Sequence, residues 1–275
     1  MVFFQKRLLC LLVLLALFTP CFAGDLKQIF TRNIYLDFQP AEDSLCFTNN
    51  GFTPSAGYDP MMQLLARVAD GYGACQGMVG LAAAVKKNVI FRPNRERMSN
   101  WSIINTLSTA QKLHYADCSK KLPIDGYANL RELCQDYEGT LRRQALAYNS
   151  QIATNDIVKY AWSYFNQNVV STPAEISQHL KEHLTSIYED LKKGRYPLML
   201  VRYHVTLVTG ITIERDDDGN PTTITLTHYD PNDLMSSEED FRSRSFSIDS
   251  DGQISGQLIW NITSRPSILT MCFLI

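Results

Sequence analysis

The hydrophobic period of the chain changes at Gly194, and that change limits the folds open to it. Upstream, Thr172 and Glu175 form a capping box and Pro173 takes the first helical position. Ile176, Leu180, Leu184, Ile187 and Leu191 then recur on one face, so the spacing predicts a helix over 173–193. Gly194 supplies the stop. Downstream the period is two, which predicts strands at 196–202, 204–214, 222–230, 241–248, 254–262 and 266–273. Asp216 to Asn220 and Ser250 to Gly252 read as turns between them. With helices in the first half and strands in the second, one α+β domain is the simplest expectation.

The first half opens with 28–38, whose residues favour an early strand, followed by a loop at 39–58 rich in Pro, Asn, Gly and Ser. Asp59 and Pro60 open a helix with Met61, Met62, Leu64, Leu65 and Val68 as its buried stripe, and Gly71 and Gly73 end it. Residues 75–85 are apolar almost all round, which predicts a buried helix, with Lys86 and Lys87 at its C-terminal end. Further helices are expected across 95–168, broken near Pro123 to Gly126.

Residues 1–23 have a different purpose. Lys6 and Arg7 precede an uncharged apolar run, Leu8 to Phe18, which Thr19 and Pro20 interrupt before Cys21-Phe22-Ala23. This is the layout of a signal peptide, leaving 24–275 as the folded domain. The run is shorter than the roughly 20 residues needed to span a bilayer, so the expected product is secreted or periplasmic, without integral membrane association after cleavage. The alternative is a membrane anchor through residues 8–18. A hydrophobic fraction of 45% argues against a disordered chain. A net charge of −2 offers no basic surface for nucleic acid, and no P-loop or G-x-G-x-x-G is present to bind a nucleotide.

Loss of the leader leaves Cys46, Cys75, Cys118, Cys134 and Cys272, an odd number. In an oxidising space, two disulfides among the other four would leave Cys75 free. No cysteine or histidine cluster has zinc spacing, so no metal and no cofactor are expected. Glu214 to Gly219 resembles the start of a calcium loop, but Thr225 stands where a Glu is required and strands flank the turn. His179 and His183, four apart on the 173–193 helix, read as part of a solvated face.

Three separated segments carry matching chemistry. In Gly71 to Met78, two glycines precede Cys75, which opens the apolar helix. A thiol there feels the positive end of the helix dipole and exposed N–H groups, which favour thiolate and suit a developing oxyanion. His204 opens a strand made otherwise of Val, Leu, Ile and Thr, a rigid mount for a base. His228-Tyr229-Asp230-Pro231-Asn232 ends the next strand. A hairpin centred on residue 218 sets His204 opposite about position 232 and Thr206 opposite about 230. Asp230 or, alternatively, Asn232 would then accept the imidazole N–H and orient the ring.

A cysteine heading a buried helix, a distant histidine opening a strand and a Tyr-Asp-Pro-Asn segment across the hairpin together resemble the papain-like superfamily of cysteine peptidases. The likeness is to bacterial members with a Cys-x-Gly-Met nucleophile turn and a Cys-His-Asp triad. It implies a papain-like fold, with the nucleophile on a buried central helix packed against a C-terminal antiparallel sheet. It implies Cys75 as nucleophile, His204 as general base and acid, and Asp230 as orienter. The implied activity is thiol hydrolysis of peptide or related amide bonds in a protein or peptide substrate. A thiol acyltransferase or glutamine deamidase is the alternative, as is a catalytically inactive secreted effector or binding module on the same fold. The chain departs from the pattern just before the nucleophile. Arg67, Val68, Ala69 and Asp70 stand where a Gln or Asn oxyanion donor is often found, with Gln63 farther off.

Overall fold

The computed structural model describes residues 26–49, 74–148, 172–201, 204–234 and 241–262. The expected leader (1–23), the 59–70 helix, the 266–273 strand and Cys272 lie outside the described residues.

Among the described residues, helices α1 (Leu26–Ile29), α2 (Pro40–Asp43), α3 (Cys75–Asn88), α4 (Asn100–Tyr115), α5 (130–148) and α6 (Pro173–Lys192) combine with nine strands. The strands are β1 (Ile34–Tyr35), β2 (Val89–Arg92), β3 (Leu122–Asp125), β4 (Leu198–Val201), β5 (His204–Arg215), β6 (Pro221–Tyr229), β7 (Arg242–Ile248), β8 (Ile254–Ser255) and β9 (Trp260–Asn261). Seven of them form an antiparallel sheet in the order β8-β7-β6-β5-β4-β9, with β1 pairing against β5. The fold is therefore mixed α+β.

Strand β5 is the centre of this sheet and is apolar along most of its length because both of its faces are covered. Its first residues pair with β4, Gly210 and Ile211 pair with β1, and β6 runs along the other edge. Helix α3 packs on one face, where Leu198, Leu200, Val205 and Leu207 join Met78, Val79 and Ala82. Helix α6 covers the other, where Met199, Val201, Val208 and Ile211 meet Leu180, Leu184 and Ile187. The alternation along β4, Leu198 and Leu200 against Met199 and Val201, is the two-residue period read in the sequence.

Helix α3 is buried through its first eleven residues, with Lys86 and Lys87 at the end that favours cations. Gly80 permits this depth, since the Tyr148 ring of α5 occupies the space where a side chain would stand. Helix α6 starts at a complete Thr172–Glu175 capping box and ends before Gly194, which adopts φ +67°. The β5–β6 turn closes with Asp216 accepting from the Asn220 N–H at 2.7 Å.

Several expectations need correction. Residues 28–38 are not one strand: the segment starts in α1, Phe30 just after it is buried against Tyr188 of α6, and only Ile34 and Tyr35 pair. Residues 254–262 are two short strands, β8 and β9, on opposite edges of the sheet. The region after 95 is not wholly helical, because Leu122–Asp125 pairs in parallel with Val89–Arg92. His179 and His183 do not form a solvated face, since both rings pack on Trp260 of β9, at 4.0 and 5.2 Å between centroids. The cysteines agree with expectation in part: Cys46 pairs with Cys134, Cys118 forms no disulfide among the described residues, and Cys272 lies outside them.

Candidate functional site

The N-terminus of α3 and the first residue of β5 meet beside the turn after β6. Cys75 is the first residue of its helix, is only 2% exposed, and is not part of a disulfide. Ala74 is the N-cap residue and offers no side-chain cap. Its buried N–H is satisfied from a distance, donating to Asn49 Oδ1 at 2.6 Å.

His204 is fixed by its backbone, paired with Val201 of β4 at the edge where β5 begins. Its Nε2 stands 2.6 Å from Asp230 Oδ1. Asn232 Nδ2 lies 3.4 Å from the same ring nitrogen. The imidazole also hydrogen-bonds the Cys75 side chain. With Nε2 committed to the carboxylate, Nδ1 is the ring atom left for sulfur. Burial alone would lower the imidazole, but the hydrogen bonds to Asp230 and Cys75 and their charges outweigh it and raise His204 to about 9. At neutral pH the ring is therefore cationic.

The Asp230 carboxyl shows the matching behaviour. Burial would raise it, yet the His204 bond and the Asn232 N–H, 2.9 Å from Oδ1, hold it below the usual carboxylate range. The turn is tight: Asp233 N–H donates to the Asp230 carbonyl at 3.2 Å, and Arg242 Nε donates to Asp233 Oδ2 at 2.8 Å. The hairpin register explains why the turn arrives here. Thr212 pairs with Thr225 and Leu207 with Tyr229, with one irregularity between Val208 and Gly210. Extending the ladder past Tyr229 carries the next residues alongside the start of β5.

All four residues picked from the sequence, Cys75, His204, Asp230 and Asn232, thus lie together. Gln63 and Asp70 fall outside the described residues. Asn49 was missed; it sits in a segment whose composition signals only a loop, and its contacts, to Ala74 and Pro231, span long stretches of chain. His228, two residues before Asp230, is buried, and burial lowers it to about 4, so it is neutral beside the site. Among the described residues no group of three or more His, Cys, Asp or Glu side chains is arranged to hold a metal ion. None of their helices is long and apolar enough to cross a membrane.

A cationic imidazole between a thiol and a carboxylate is a proton-transfer relay. The ring can give its proton to a leaving group and, once neutral, take one back, while the carboxylate fixes its orientation and balances its charge. No family model, no curated protein and no solved structure matches this chain.

Proposed function

We propose that this protein is a thiol hydrolase of the papain-like kind, acting on peptide or related amide bonds of a protein or peptide substrate. The observation that carries the reading is the single imidazole of His204, hydrogen-bonded to Cys75 on one side and to Asp230 on the other. Cys75 sulfur attacks the substrate carbonyl carbon, forming a C–S bond. His204 delivers its proton to the leaving amine as the C–N bond breaks. A water, deprotonated by His204, then adds to the acyl-enzyme, and the thiolate leaves as the carboxylate product is released. Asp230 stays ionised throughout and keeps Nε2–H pointed away from the sulfur. The positive end of α3 favours the thiolate and the oxyanion of the tetrahedral intermediate.

The Cys46–Cys134 disulfide supports a place outside the reducing cytosol, in keeping with residues 1–23 as an export leader.

The test is thiol labelling of the folded protein with iodoacetamide from pH 5 to 9, paired with the Cys75→Ala variant. The reading expects rapid labelling at Cys75 below pH 7 and a slower rate at Cys118. Equal, slow labelling of both cysteines would reject it in favour of a binding module. Mass analysis of products from a peptide library separates the outcomes further. Cleaved peptides mark a hydrolase of peptide bonds, whereas release of ammonia from intact peptides marks a glutamine deamidase.

A further inference from the structure

The geometry points to Asn49 as a positioning residue of the Cys75 site, an inference that rests on the hydrolase reading above. Asn49 bridges the two halves of the site with two different groups. Its backbone N–H donates to the Pro231 carbonyl at 2.9 Å, inside the turn that carries Asp230 and Asn232. Its side-chain Oδ1 accepts the Ala74 N–H at 2.6 Å, one residue before Cys75. The N-cap residue of α3 has no capping side chain, and Asn49 supplies from 25 residues away the acceptor for the N-cap N–H that a Glu or Gln at the third helical position supplies in a capping box. The result fixes the helix tip to the acidic turn through one residue.

The segment that delivers Asn49 is anchored at four successive positions. Ser44 Oγ accepts from Arg131 Nη1 at 2.8 Å. Leu45 is buried, and its backbone hydrogen-bonds the Tyr229 hydroxyl. Cys46 is joined to Cys134. Phe47 is buried, with the Arg142 guanidinium 4.2 Å from its ring centre. Arg131, Cys134 and Arg142 all belong to α5, and Tyr229 stands one residue before Asp230. A loop held by a helix on one side and by the acid-bearing strand on the other transmits the spacing between them. Asn49 sets the distance from sulfur to imidazole, and small losses of such alignment are costly to a nucleophile–base pair.

The experiment compares wild type with Asn49→Ala and Asn49→Asp in the full chain. The readout is the pH dependence of Cys75 alkylation, with thermal unfolding alongside. Asp keeps an acceptor oxygen for the Ala74 N–H, and Ala removes it. The expected result is that N49A stays folded, loses about tenfold or more in alkylation rate at pH 6, and follows the profile of an ordinary thiol, rising near pH 8.5. N49D keeps most of the wild-type rate at pH 6. If N49A does not fold, N49D alone decides: a wild-type profile supports the role and an ordinary-thiol profile overturns it. A folded N49A with the wild-type profile overturns it, as does an N49D as slow as N49A, or loss of the fold in both. An ordinary-thiol profile in wild type is a different outcome, because it sinks the hydrolase reading itself.

Discussion

His204 Nε2 and Asp230 Oδ1 stand 2.6 Å apart, the imidazole raised to about 9 and the carboxyl held low. In the unfolded chain the imidazole titrates near its ordinary 6.5. The stability from this pairing is therefore full below pH 6.5 and is lost as the pH rises through about 9. Asp230→Asn keeps the shape and removes the charge. The His204 ring resonance, followed by NMR, is expected to titrate well below 9 in D230N, and under the proposed hydrolase function turnover should fall about 100-fold. A ring that still titrates near 9 would show that Asp230 is not the source of the shift.

Gly80 tests how tightly the helix that carries Cys75 is seated. A Cβ there would lie 1.9 Å from Tyr148 Cε1, and that ring is fully buried and stacked on Tyr115 at 5.1 Å between centroids. The ring has nowhere to retreat, so Gly80→Ala is expected to destabilise by about 1–3 kcal/mol, read as a lower urea midpoint. The same substitution made together with Tyr148→Ala should cost much less than in the wild-type background. Equal costs in the two backgrounds would mean that the clash is not the cause.

The parts of this molecule that could be read from the sequence are those with local signatures. Thr172, Pro173, Glu175 and Gly194 delimit α6 to within one residue, because cap, first turn and stop are each encoded nearby. The closeness of His204 and Asp230 follows from strand period and a short turn, so counting along the hairpin reaches it. Asn49 offers no such handle, since its partners lie far off in the chain. Strand β3 contains Pro123, which weakens any strand reading, and tolerates it in a two-stranded pair. The histidines of α6 read as solvated until Trp260, 77 residues beyond His183 in the numbering, is seen lying across them.

The Cys46–Cys134 bond closes a span of 88 residues and anchors the segment that carries Asn49. Replacing both cysteines by Ser should lower stability by about 2–4 kcal/mol, mainly by freeing the unfolded chain. It should also slow Cys75 alkylation at pH 6 under conditions where the protein is still folded. A variant that loses stability yet labels at the wild-type rate would separate the disulfide from the site and leave it a staple only.

Acid should weaken the fold through histidines that are buried neutral. Burial, with nearby cations adding to it, lowers His114 and His228 to about 4, and burial with the His179 ring does the same to His183. Each is lower in the folded chain than its ordinary 6.5, so unfolding takes up protons below that pH. The stability from these three is full above 6.5 and falls steadily toward pH 4. Asp190, raised by burial, opposes the trend, and so does His204 between pH 7 and about 6, where the folded ring is cationic and the unfolded one is still taking up its proton; below that His204 adds little slope. Urea midpoints are expected to drop from pH 7 to 5.5 and again to 4.5. His183→Gln should flatten the slope by removing one of the protons taken up on unfolding. Midpoints that hold level between pH 7 and 4.5 would mean that these rings are already charged, or reach water, in the folded protein.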